Sequence, residues 1–296
     1  MAHIFALVCE ICLAWIGHKV AYADPASLTK RGAENPALQR FGPDFFVAVP
    51  KVLDGFKKSV EGSFTNGSWF SKLIFQAAYP ARSFALRTGR DTPLFNKIFF
   101  HKIQKDLLGG QCKACICGGS PLAPDVQDFC RIVFGFDLIQ GWAMTETTCN
   151  GTIQPWGDHR PNNVGYPLQT TSIKVESVKS HITDSSGKPY FSNDCDHLGT
   201  PCLGRGEICI KGPTVATSYY KQPKESKGAF VNGGWLRTGD IGIILPDYSI
   251  RIVDRVKNLV KLKGGEYIAL EALEKESSTS AYVNQSAGGY MISHKI

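Results

Sequence analysis

No internal repeat runs through the 296 residues, and no apolar stretch reaches the roughly 20 residues that a membrane-spanning helix needs. The Gly-Phe signature of an RNA-recognition sheet is missing, as is any zinc-finger spacing, which sets nucleic acid aside as a partner. The most apolar run, IFALVCEICLAWIG at 4–17, has no Lys or Arg before it and carries Glu10 at its middle. Both features argue against a secretory signal, although Ala21-Tyr22-Ala23 offers the small residues of a cleavage site. The run reads instead as a buried helix, and a secreted cysteine-rich binding protein stays an alternative. Cys9 with Cys12, and Cys112 with Cys115 and Cys117, superficially resemble metal spacings. The first pair lies in helix-like sequence and the second cluster runs into Gly118-Gly119 as a strand would, so both read as small buried thiols. The other cysteines are scattered, as in a reducing compartment.

Composition is that of a globular chain, 43% hydrophobic and 20% charged, and the length points to about two domains. The net charge of +7 is concentrated. Residues 51–105 hold ten Lys or Arg against only Asp54, Glu61 and Asp91, so this stretch carries the whole excess. Interleaved with Phe56, Trp69, Phe70 and Phe75, it suits peripheral contact with an anionic membrane face.

Patterning alternates strands and helices in the first half. A short strand is expected at 19–22, and FFVAVP at 45–50 reads as a buried parallel strand closed by Pro50. Apolar stripes at Val52, Leu53, Phe56 and Val60, and from Trp69 to Ala77, read as helices facing a core. A strand at 113–117 meets Gly118-Gly119-Ser120-Pro121, a tight turn into a helix with Pro124 in its first turn. The next strand, 136–140, delivers QGWAMTETTCNG at 140–151. Two Gly-bounded loops thus fall at neighbouring strand ends, where open α/β sheets bind ligands. In the second loop an aromatic ring, hydroxyls and the acid Glu146 suit a nucleotide with Mg²⁺; a Thr-rich helix cap is the plainer alternative. Beyond residue 152 short strands appear at 172–178, 206–211, 241–245 and 250–253, with a polar surface excursion at 179–205. A strand at 258–262, a helix at 270–276, a Ser- and Gly-rich tail and a strand-like 290–293 complete the pattern.

Taken together, CGGSPL at 117–122, GWAMTET at 141–147, GRGEICIKGPTVATSYYK at 204–221, GGWLRTGDIG at 233–242 and IVDRVKNLVK at 252–261 resemble the adenylate-forming (AMP-binding) acyl-CoA ligases. LRTGRDTPLFNKIFF at 86–100 resembles the long-chain fatty acid-CoA ligases in particular, and GGEYIALEALE at 264–274 has the look of fungal and other eukaryotic members. The resemblance implies an α/β chain: the back part of the large N-terminal domain over 1–253, with mixed sheets, helices and part of a small β-barrel. Residues 254–296 would begin the small α+β C-terminal domain. The implied reaction is ATP-dependent activation of a fatty acid through acyl-AMP, followed by transfer to coenzyme A. The family's Ser/Thr/Gly-rich phosphate loop and its C-terminal catalytic Lys have no counterpart here, so a fragment that binds nucleotide without turnover is the competing expectation.

The same resemblance assigns roles. Trp142 would stack on or flank adenine; Thr145 would donate to the α-phosphate; Glu146 would hold Mg²⁺. Gly118, Gly119, Ser120 and Pro121 would wall the place where adenine and the acyl carboxylate meet. Asp240 and Arg255 would bind the ribose, Asp254 would be the hinge between domains, and Lys261 would face the adenylate during thioester formation. His3 resembles a motif histidine near the acyl pocket, with a structural role as its alternative. Fatty acid is the implied substrate. The implied location is the cytosol or the cytoplasmic face of a membrane: endoplasmic reticulum, lipid droplet or peroxisome.

Overall fold

The computed structural model describes residues 3–24, 27–28, 36–65, 68–178, 182–256, 259–261 and 267–269. The expected helix at 270–276 and everything after it lie outside the described residues. The chain forms two compact units: Met1–Gly141 with Pro155–Pro161, and Trp142–Gln154 with Asn162–Ile296.

The first unit is a parallel sheet with helices. After α1 (Ile4–Trp15) and the short α2 (Ala37–Phe41), β1 (Phe45–Ala48) leads into α3 (Pro50–Thr65). Pro50 opens that helix rather than closing the strand, because its missing N–H costs nothing in a first turn. Then come α4 (Trp69–Arg87), α5 (Pro93–Phe95), a π-helical turn (Asn96–Phe100) and α6 (His101–Leu108). Next, β2 (Ala114–Cys117), α7 (Pro124–Phe134) and β3 (Asp137–Trp142) repeat the strand–helix alternation. β1, β2 and β3 are parallel, with Ala48 opposite Cys117 and Cys117 opposite Gln140, so their C-terminal ends are level. Leu53 and Phe56 of α3, Phe129 and Val133 of α7, Phe100 and Leu138 pack into one core. The thiols of Cys112, Cys115, Cys117 and Cys130 are buried there, and burial raises the pKa of each.

Two further expectations fail in this unit. α1 contains no buried residue: Leu7, Ile11 and Trp15 are exposed, and so is Cys12. Residues 19–22 form no strand. Of the aromatics in the basic stretch, Phe56 is a core residue and Phe75 stacks on Phe64 at 4.5 Å; Trp69 and Phe70 alone of the four are exposed.

The second unit is antiparallel. β4 (Thr152–Ile153) pairs with β5 (Tyr166–Pro167), and β7 (Asp196–His197) pairs with β8 (Thr200–Pro201). The main sheet contains β6 (Ser172–Glu176), β9 (Arg205–Lys211), β10 (Phe230–Val231), β11 (Trp235–Ile244) and β12 (Ile250–Arg255), with α8 (Pro223–Ala229) preceding β10. β11 is its spine, pairing β9 on one edge and β10 then β12 on the other. A hairpin of β13 (Leu259–Lys261) and β14 (Tyr267–Ala269) ends the described chain.

In the described part of the polar excursion, 182–205, residues 185–189 and 191–193 are exposed as expected, but the stretch also sends side chains inward. Ile182 and Tyr190 pack against Ile241, and Arg205 is enclosed by Asp184, Asp194 and the Pro189 carbonyl. Opposite charges and a carbonyl satisfy the guanidinium, which lets part of a polar segment bury itself.

Candidate functional site

In the first unit, β2 ends where Gly118-Gly119-Ser120-Pro121 turns the chain toward α7. Gly118 is buried, and its amide donates to the Ala48 carbonyl at 3.4 Å. A Cβ at Gly118 would lie 3.5 Å from both the Gly141 carbonyl and the Phe5 ring, so β3 and α1 border this position. Gly119, Ser120 and Pro121 are exposed. His3 caps α1: its Nδ1 accepts the Phe5 amide at 3.2 Å, which is the structural role.

The second unit gathers the other candidates. Thr145–Thr147 forms a single 3₁₀ turn after β3. Thr147 is buried, its hydroxyl accepting from the Met144 amide and donating to the Met144 carbonyl. The Thr148 hydroxyl donates to the Thr214 carbonyl at 3.0 Å, and Asn150 Nδ2 donates to the Thr214 hydroxyl at 3.1 Å. These bonds tie the loop to 212–219. Gly151 closes the loop because any Cβ there would sit 2.2 Å from the Trp142 carbonyl. Thr145 remains exposed, with its backbone carbonyl taken by the Thr148 amide.

Glu146 is fixed by two contacts with 212–219. Its carbonyl accepts the Ala216 amide at 2.8 Å, and its carboxylate Oε1 accepts the Tyr219 hydroxyl at 2.8 Å. Burial and the Glu146 carboxylate together push the Tyr219 phenol up to about 12, so it remains a donor at neutral pH. Tyr219 received no role in the sequence reading, although it lies in a quoted motif; no local pattern reveals a partner 73 positions away.

Asp240 stands at a break in β11. Arg237 pairs with Cys209 and Ile241 with Glu207, so four steps along β11 oppose two on β9. Gly239, at φ +72°, supplies the left-handed residue of this bulge. The Thr238 hydroxyl accepts the Asp240 amide at 3.0 Å, and Glu207 Oε1 accepts the Gly239 amide at 3.2 Å, which replaces the lost ladder bonds. Burial raises the Glu207 carboxyl above its ordinary range. The bulge turns the Asp240 carboxylate toward Trp142, whose Nε1 donates to Oδ2 at 2.8 Å, while Arg255 Nε lies 3.4 Å from Oδ1. Asp240 is 5% exposed.

The structure therefore joins Trp142, Asp240 and Arg255 in one cluster and couples Glu146 to Tyr219. Lys261 ends β13, but its side chain lies outside the description. Glu146 is a single hard carboxylate, and no group of three or more His, Cys, Asp or Glu suited to a metal occurs among the described residues. That donor set fits a Mg²⁺ ion carried mainly by phosphates and water rather than a protein cage.

The family described as AMP-binding enzyme matches residues 1–220. The chain is 32% identical over 286 residues to the peroxisomal long chain acyl-CoA synthetase 6 of Arabidopsis thaliana, covering 96% of this chain and 38% of the relative. It is 35% identical over 244 residues to the peroxisomal long chain acyl-CoA synthetase 7 of the same plant, covering 82% and 33%. Among solved structures, O-succinylbenzoate coenzyme A synthetase of Bacillus subtilis in complex with AMP superposes with a TM-score of 0.56 at 20% identity, over 94% of this chain and 44% of that one. The likeness is one of fold. The chain spans well under half the length of the curated relatives it matches.

Proposed function

Because the chain belongs to the AMP-binding enzyme family, we propose that it carries the adenylate-forming part of an AMP-forming long-chain fatty acid-CoA ligase. In this reading a fatty carboxylate oxygen attacks the α-phosphorus of ATP and pyrophosphate leaves. The thiol of coenzyme A then attacks the acyl carbon of the acyl-AMP and AMP leaves. No bond to the protein forms, so the residues contribute position and charge.

The observation that carries the reading is the buried Asp240 carboxylate held between Trp142 and Arg255. The Asp240 carboxylate would bind the ribose hydroxyls, with Arg255 beside them and the Trp142 indole against adenine. The Tyr219 bond orients the Glu146 carboxylate, which would hold Mg²⁺; the ion would supply charge neutralisation at the phosphates. Thr145, exposed at the start of its turn, would donate to the α-phosphate. Gly118, Gly119, Ser120 and Pro121 would border adenine and the acyl carboxylate. Lys261 would approach the adenylate in the thioester half-reaction. Residues 1–253 would belong to the large domain and 254–296 to the small one, with Asp254 as hinge.

The exposed Trp69, Phe70 and Leu73 at the start of α4, in the basic stretch, support peripheral binding to an anionic membrane. No helix of the described residues is long and apolar enough to cross a membrane. The proposed location, which rests on the family resemblance, is the cytosol or the cytoplasmic face of the endoplasmic reticulum, a lipid droplet or a peroxisome.

The test is calorimetric titration with AMP and ATP, followed by pyrophosphate release across a fatty acid chain-length series. Saturable nucleotide binding with release greatest for long chains is expected. Absence of nucleotide binding, or a maximum at two to four carbons, would overturn the reading. Binding without release would favour a nucleotide-binding protein that does not turn over.

A further inference from the structure

We propose that a cavity of the first unit, bounded by α4, the π-helical turn and the end of α7, binds a small oxyanion on Arg82. The cavity measures about 200 Å³, on the order of six or seven water volumes. Arg82 lines it and is 3% exposed. Its Nε and Nη1 are buried and have no hydrogen-bond acceptor among the described residues. The guanidinium carbon lies 4.9 Å from the centre of the Phe100 ring, which holds the plane of the fork. At the end of α7, a Cβ on Gly135 would come within 2.8 Å of Nη2, so the backbone there leaves room for the cation.

The other charged groups of the cavity already have partners. Asp91 Oδ1 accepts the Thr92 amide at 2.7 Å. Asp137 Oδ1 lies 3.6 Å from His159 Nε2. Arg131 Nη1 donates to the His159 carbonyl at 3.2 Å and sits 3.7 Å from Asp128. Arg82 is thus a buried cation facing open space with two donor nitrogens unused. Asp91 favours the Arg82 charge from a distance, but burial outweighs it, and neither Nε nor Nη1 has a hydrogen-bond partner; a buried cation so poorly satisfied is costly, and a methionine would fill a similar volume without that cost. A planar fork beside Asn96, in a pocket of this size, matches phosphate or carboxylate.

Thermal unfolding of the 296-residue chain in inorganic phosphate, acetate and chloride at matched ionic strength tests the site. The wild type should show a saturable rise in Tm of about 3 °C or more in phosphate or acetate over chloride. Whichever anion acts tells a tetrahedral from a planar ligand. Arg82→Met should abolish the rise. Arg82→Lys, which keeps a point charge but not the fork, should weaken half-saturation about tenfold and decides the matter should the methionine variant not fold. Equal Tm in all three salts, or an unchanged rise in Arg82→Met, would overturn the proposal. So would an Arg82→Lys variant indistinguishable from wild type. A fall in Tm on Asp91→Asn with no anion effect in the wild type would identify Asp91 as the counter-ion and also overturn it.

Discussion

Replacing Arg205 by methionine would strip the segment 182–205 of the cation around which it folds. Arg205 is 3% exposed, and its Nη1 and Nε each lie 2.5 Å from a carboxylate oxygen, of Asp184 and Asp194 respectively. Nη2 donates to the Pro189 carbonyl at 2.8 Å, and the guanidinium sits 5.0 Å from the centre of the Tyr190 ring. The substitution leaves Asp184 buried without its counter-charge, a loss of about 3–5 kcal/mol. The Ser186 and Lys188 amides still bond Asp184 Oδ1, which favours the lower end, about 3 kcal/mol. The pH dependence carries a second signature. Burial by itself would raise the Asp184 carboxyl, but Arg205, the Ser186 hydroxyl and the two amides outweigh it and hold it at about 2, against an ordinary 3.8. Because the folded pKa is depressed, this group adds about 2 kcal/mol of stability above pH 4 that disappears as pH falls toward 2. Without Arg205 the burial effect gains weight, so Asp184 in the variant should contribute much less acid sensitivity. Urea unfolding at pH 7 and pH 3, followed by tryptophan fluorescence, reads both effects. A loss under 1 kcal/mol at pH 7, or parallel pH profiles in wild type and variant, would refute the argument.

Asp240→Asn should weaken AMP binding about 10–100-fold by calorimetry, the worth of a hydrogen bond to a charged group, while the amide oxygen still receives the Trp142 donor. Unchanged affinity would remove Asp240 from the site. Glu146→Gln should erase the Mg²⁺-dependent part of ATP affinity and leave AMP affinity alone; equal effects on both nucleotides would contradict the metal role. Tyr219→Phe should lower Tm modestly and raise the Mg²⁺ needed for half-maximal ATP binding, because the Glu146 carboxylate loses its orienting donor. Co-sedimentation with phosphatidylserine vesicles should fall with salt and fall further in Trp69→Ser/Phe70→Ser; binding that ignores both would count against membrane contact.

Local chemistry determined much of this chain. Apolar runs followed by Pro50, by Gly118-Gly119 and by Gly141 marked β1, β2 and β3, and a proline in the first turn marked α7, because strand period, turn residues and caps act over a few positions. The motifs carrying Trp142, Glu146 and Asp240 were legible for the same reason. Their partners were not. Trp142 meets Asp240 across 98 positions and Glu146 meets Tyr219 across 73, contacts set by how β11 bulges and where 212–219 lies. Residue type also misled where burial depends on a distant charge. Arg205 and Asp184 look like surface residues until each neutralises the other, and α1 looks like a core helix although no residue of it is buried. Sequence fixes what a segment prefers locally; tertiary structure alone decides which charges meet and which apolar faces are covered, because both depend on contacts between segments far apart in the chain.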